Sequence, residues 1–263
     1  MLGLWILSFI AFMAIVGPFF SPFSYHETHL PLKNLPPSLK FWFGTDELGR
    51  DIFCRIWWGA RISLCVGISA ALIDMTIGVL IGSLAGFFGK KYDEILMRLA
   101  DIVHSIPYLL VVILLAVMIG SGMTSILIAL TITGWIPMAR IVRGQIMQLK
   151  NLDYAEAAYA LGAGPLRILF RHLLPNISGQ VITTMTFTIP AAIFAESFLS
   201  FLGLGIQAPV ASWGTMASSG LAALSYYPWR LFFPSLFISL TMFSFNLIGD
   251  GLRDALDPRS HHL

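Results

Sequence analysis

Few residues in this 263-residue sequence are of types and spacings that could do chemistry or transmit force. Asp74, Asp101 and Glu196 are lone carboxylates inside long apolar runs. An ionisable group in such surroundings is costly, so it marks either a group lining a path for cargo or a hydrogen-bond and ion-pair partner between helices. Glu196, in Ala-Glu-Ser-Phe-Leu-Ser, and Asp74 are the candidates for a path; Asp101 has Arg98 nearby as a structural partner. Asp153 and Glu156, three apart and followed by alanines, have the spacing of a helix start. The six histidines are dispersed or terminal, as at His261 and His262, and neither HExxH nor GxSxG occurs. Cys54 and Cys65 lack CxxC spacing and read as packing residues. No G-x-x-x-x-G-K-[ST] loop is present to cradle nucleotide phosphates. These absences argue against an enzyme and predict no metal and no cofactor on this chain.

The elements that must position these residues are membrane helices. The chain is 57% hydrophobic and 11% charged, against about a quarter charged for soluble domains, and its mean hydropathy is +0.79. Between Asp101 and Arg140 lie 38 residues without Asp, Glu, Lys or Arg. As one helix they would reach roughly 57 Å, nearly twice a bilayer core of about 30 Å, so they must form two helices broken at Gly120-Ser121-Gly122. The same reasoning predicts six spans, at 2–20, 61–88, 96–119, 123–142, 178–202 and 230–250. The first is kept as a span because a cleaved signal would want a basic start and a small-residue cleavage site.

Basic residues set the orientation. With the N-terminus inside, Lys90, Lys91, Arg98, Arg140, Arg143, Lys150, Arg167, Arg171, Arg253 and Arg259 fall on the cytoplasmic side. Lys33, Lys40, Arg50, Arg55, Arg61 and Arg230 fall outside, and this bias predicts both termini in the cytoplasm. The net charge of +2 is too small and scattered for nucleic acid. Residues 21–60, interrupted by Pro31, Pro36 and Pro37, form an extracytoplasmic segment. Residues 203–229, uncharged and carrying Trp213, Tyr226, Tyr227 and Trp229, are expected to form a re-entrant or surface-lying loop.

Residues 143–177 form a polar cytoplasmic connection. Asp153 and Glu156 approximate a capping box that opens a short helix through Ala157, Ala158 and Leu161, which Gly162 stops. Alanine has high helix propensity and a thin side chain, so the backbone can approach a partner closely. Pro165 suits the first turn of a second, amphipathic helix that includes Arg171 and ends before Pro175. Such a projection is built to dock on another protein.

The run Glu156-Ala157-Ala158, Gly162, Leu174-Pro175 resembles the EAA loop by which ABC importer permeases engage their ATPases. The longer string EAAYALGAGPLRILFRHLLPN is similar to the version in dipeptide, oligopeptide and nickel permeases, where Arg171-His172 replaces the isoleucine-containing general form. GTDELGRDIFCRIWWGARISL at 44–64 resembles the segment before the second span of the C-type subunit, with Cys54 at a usual serine, and FNLIGDGLRDALDPR at 245–259 resembles the C-terminal signature. Between them, Ala208-Pro209 and Ser212-Trp213-Gly214 resemble the last external loop, while Pro234-Ser235 departs from a common Pro-Gly.

The resemblance implies an all-α, polytopic type I ABC importer transmembrane fold in the bacterial inner or plasma membrane. It divides the chain into a first helix with an extracytoplasmic segment, 1–60, and a permease domain, 61–259. The implied partners of this chain are a second homologous permease forming a heterodimer, two cytoplasmic ABC ATPases that bind ATP and Mg, an extracytoplasmic substrate-binding protein, and membrane lipid. The implied coupling residues are Asp153, Glu156, Ala157, Ala158, Leu161, Gly162, Pro165, Arg171 and Pro175. The cargo it implies is a dipeptide or oligopeptide, with nickel or another small solute as the alternative. An ion-coupled secondary transporter should instead show an internal repeat with matched broken helices; none is visible in the sequence.

Overall fold

The structure, a computed structural model, describes residues 1–207 and 209–256. Among these residues the only β pairing is an isolated bridge between Thr45 and Asp51; everything regular is helical. Five runs are long and apolar enough to cross a membrane: Leu2–Phe20, Ile52–Phe88, Met123–Leu149, Pro165–Phe201 and Trp229–Leu256. α1 (Leu2–Val16) runs on into a 3₁₀ turn.

α2 (Ile52–Phe88) begins well before the expected residue 61, because Asp51 caps it. The Asp51 carboxylate accepts from the amides of Phe53 (3.2 Å) and Cys54 (3.3 Å) and from the Ser21 hydroxyl (2.6 Å). The boundary drawn between residues 60 and 61 therefore falls inside one continuous helix. The predicted span 96–119 is not a straight helix. α3 (Lys90–Ser105) and α4 (Tyr108–Ile119) meet at a bend of 78° and make a sixth span only if counted together. Pro107 is the cause: it disfavours helical geometry at the preceding residue, and Ile106 is extended at φ −76°, ψ 125°.

α5 (Met123–Leu149) leads to α6 (Asp153–Ala160) and α7 (Pro165–Ile168). The helix expected to stop before Pro175 does not stop. A π-helical turn, Leu169–Leu173, joins α7 to α8 (Leu174–Phe201), so that Pro175 sits in the first turn of α8, where its missing N–H is tolerated. The connection expected to lie at the surface, 203–229, contains α9 (Trp213–Leu221), whose Trp213 is fully buried and donates its indole N–H to the Ile56 carbonyl at 3.0 Å. α10 (Trp229–Leu256) closes the bundle.

Contacts order the helix ends. The start of α1 meets the second half of α10 at Gly3, and Gly179 in α8 faces Leu256. Lys150 at the end of α5 donates to the Gly86 carbonyl at 2.7 Å, satisfying a C-terminal carbonyl of α2. The N-terminus, the described end of α10 and α6 thus share one end of the bundle. The other end is closed by segment 21–51. There Asp46 accepts from Arg50 Nε at 2.6 Å and lies 3.4 Å from Arg55, while Arg230 donates to Asn34 Oδ1 (3.2 Å), to the Ser219 carbonyl (3.1 Å) and to Glu47. Gly49 has φ +73°, and a Cβ there would sit 1.9 Å from the His29 carbonyl oxygen. Arg50, Arg55 and Arg230, counted from the sequence as external charges, are buried cross-links.

Candidate functional site

α6 is positioned by two alanines. Ala155 (0% exposed) and Ala158 pack into a core with Met138, Val142 and Ile146 of α5 and Ile168 of α7. The opposite face, carrying Asp153, Glu156, Ala157 and Tyr159, is exposed, and Leu161 projects at its end, 89% exposed. The helix does not start as the spacing predicts. Leu152 occupies the N-cap, Asp153 lies in the first turn, and no side chain caps the amides. Both acids instead lie in the first turn, where they favour the positive end of the helix dipole.

The stop at Gly162 is as expected and has a defined form. Gly162 takes φ +81°, its N–H donates to the Tyr159 carbonyl (2.9 Å), and Ala163 N–H reaches back to the Ala158 carbonyl (3.0 Å). This is a Schellman closure. A Cβ on Gly162 would meet nothing within 4 Å, so its surroundings are open. Pro165 opens α7, and Arg171 and Pro175 are exposed along the same side of the chain's path back into the bundle.

The two carboxylates weighed for a path have different surroundings. Glu196 is 0% exposed and sits at a junction of three helices. It accepts from Ser63 of α2 (3.1 Å) and from Ser200 (2.8 Å) and Ser197 (3.4 Å) of α8, while Ser63 also accepts from the Trp213 amide of α9 at 3.4 Å. That is the interhelical hydrogen-bond role. Asp74 is 4% exposed and lines a cavity of about 400 Å³ between α5 and α8, under Tyr108 of α4. Its Oδ1 has no hydrogen-bond partner among the described residues. Asp101 pairs not with Arg98 but with Arg140 of α5 at 2.8 Å; Arg98 faces Glu94 on its own helix. Cys54 is buried as expected, whereas Cys65 is exposed on the outer face of α2.

Residues 78–262 match the family model described as binding-protein-dependent transport system inner membrane component. The chain belongs to this family. Residues 1–37 of this permease also match the N-terminal TM domain of oligopeptide transport permease C. It is 59% identical to the oligopeptide transport system permease protein OppC of Bacillus subtilis over 98% of its own length and 85% of the relative's. It is 60% identical to the dipeptide transport system permease protein DppC of the same organism, over 98% and 81% respectively. Escherichia coli K12 OppC is 44% identical over 97% of this permease and 85% of that relative. A chain of an inward-facing MetNI methionine ABC transporter aligns with a TM-score of 0.60 at 18% identity, over 76% of this permease and 94% of that chain, and so shares its fold.

One feature of the permease escaped the sequence reading although its signal was present. Gly78, Gly82 and Gly86 repeat at every fourth residue of α2, the small-residue spacing that lets membrane helices approach. A Cβ at Gly82 would lie 2.4 Å from the Ala139 carbonyl of α5, and one at Gly78 2.6 Å from Met138 Cβ. This contact fixes α5, and with it both the base of α6 and the wall opposite Asp74.

Proposed function

We propose that this permease is one of two homologous subunits that form the path of an ATP-driven peptide importer, with α6 as the contact through which cytoplasmic ATPases move it. The observation that carries the coupling role is α6 itself: a short helix fixed to α5 and α7 through Ala155 and Ala158, with Glu156 and Leu161 presented outward. A push on such a helix passes to the bundle through packed side chains. The names of the Bacillus subtilis relatives, at 59% and 60% identity, favour peptides over a nickel chelate as cargo. In this reading both termini and α6 face the cytoplasm, the segment 21–51 and α9 face the binding protein, and ATP and Mg are held by the ATPases alone.

The test is reconstitution. The tagged chain is purified with its associated proteins from native membrane, placed in proteoliposomes, and given binding protein with labelled trialanine. Uptake should require ATP on the ATPase side and be indifferent to a protonophore. Uptake driven by an ion gradient, with no ATPase in the complex, would refute it.

A further inference from the structure

The cavity beside Asp74 holds an acid for which the described residues lining it supply no base. No Lys, Arg or His lines it. Asp74 lies 14 residues before the end of α2, about 21 Å along the helix, and so at depth within the bundle. Its carboxylate fills a notch left by Gly134 of α5, where a Cβ would come within 2.2 Å of Oδ2. Among the described residues Oδ1 is left without a partner, and so is the buried hydroxyl of Tyr108, which lines the same cavity.

A third group comes from the backbone. Pro137 lies inside α5 and has no N–H, so the carbonyl of Thr133, one turn earlier, loses its usual helical donor. Thr133 and Pro137 both line the cavity. The hydroxyls of Thr184 and Thr188, on the α8 wall, are already committed to the carbonyls of Gln180 (2.8 Å) and Thr184 (3.1 Å). The remainder of the wall is alanine, leucine and phenylalanine. The uncommitted groups are therefore the Asp74 carboxylate and the Thr133 carbonyl, which accept, and the hydroxyls of Tyr108 and Thr133, which can accept as well as donate. A primary ammonium group, with three N–H donors and one positive charge, is their complement.

We propose that Asp74, with Tyr108 and the Thr133 carbonyl, binds the amino-terminal ammonium group of a peptide in transit. This rests on the peptide-importer reading above. A carboxylate held in an apolar wall discriminates strongly between a charged amine and its neutral amide, because only the former compensates the acid's lost hydration.

The experiment uses the assembled permease–ATPase complex in nanodiscs without binding protein, and trialanine and N-acetyl-trialanine as probes. Saturation-transfer NMR should show trialanine binding about tenfold better than its acetylated form, the size of one charge-assisted hydrogen bond. D74N, which keeps the shape that fills the Gly134 notch, should abolish that preference, and Tyr108→Phe should reduce it. Equal binding of the two peptides to the wild type, binding of neither, or a preference that survives D74N would overturn the proposal. Failure of D74N to assemble would mark Asp74 as a bond to the second permease and overturn it too. Peptide uptake by wild-type proteoliposomes separates the two claims. If uptake occurs but the preference is absent, only the ammonium site falls; if no peptide is taken up, the importer reading falls and takes the site with it.

Discussion

Reversing the charge on the exposed face of α6 should uncouple transport without unfolding the permease. Glu156 is exposed and makes no ion pair among the described residues, so Glu156→Lys removes nothing from the core; its local effect is confined to the helix dipole. Gly162→Asp puts a side chain at φ +81° where nothing lies within 4 Å. Its cost is backbone strain alone, about 1–2 kcal/mol. Neither change touches Ala155 or Ala158, whose burial holds α6 in place. In the proposed complex the same face would be desolvated against the ATPase, where leaving a charge without its partner costs about 2 kcal/mol or more, roughly 30-fold in affinity. Both variants should insert normally and melt within a few degrees of wild type, while ATP-driven uptake falls by about an order of magnitude or more relative to ATP hydrolysis. Proteoliposome uptake measured beside ATPase rate and thermal melting reads all three quantities. Unchanged uptake in both variants would remove the docking role of α6, and a collapsed melting temperature would show that the face is structural.

Other substitutions test the frame around this helix. Glu196→Ala strands the hydroxyls of Ser63 and Ser200 in a fully buried junction and should lower stability by about 2–4 kcal/mol in thermal melts, whereas Glu196→Gln should cost about half that or less. Gly82→Leu should force α2 from α5, where a Cβ would already lie 2.4 Å from the Ala139 carbonyl, and should abolish a folded complex on gel filtration. Arg230→Met removes the bonds to Asn34, the Ser219 carbonyl and Glu47 and should make segment 21–51 cleave faster in limited proteolysis. Burial raises the Asp51 carboxyl above its ordinary 3.8, against the opposing pull of Ser21 and the Cys54 and Phe53 amides. The folded chain thus holds that proton more tightly than the unfolded one, and this group's contribution to stability falls as pH rises from about 3.8 through the raised value. Asp51→Asn should flatten that part of the pH–stability curve.

What could be read in advance was what depends on runs of sequence. Apolar length located the spans, and alanines closed by Gly162 located α6, because both are properties of consecutive residues. Several of the errors arose where a partner distant in sequence decides. Asp51 extends α2 outward through a local cap, but residues 52–60 read as part of the extracytoplasmic segment until Arg55 meets Asp46 and Trp57 is seen in the core. Trp213 has the composition of an interface residue, yet the Ile56 carbonyl, 157 positions away, takes its N–H into the interior. Arg230 counted as external charge for the same reason: Glu47 lies 183 positions away.

Asp74 and Glu196 show why sequence left their roles open. Each is a single acid in an apolar helix, and nothing within a turn of either separates them, except that Glu196 has Ser197 and Ser200 beside it. Those serines already offered a hydrogen-bond sink, and Ser63 from α2 completes it. Asp74 has Thr76 nearby, but that hydroxyl turns back to the Leu72 carbonyl at 2.8 Å and gives the acid nothing. The distinction between a structural acid and a binding acid in a membrane helix is thus whether local hydroxyls are free to face it. By that criterion Glu196 is satisfied by its own bundle, and Asp74 is left to whatever enters the cavity.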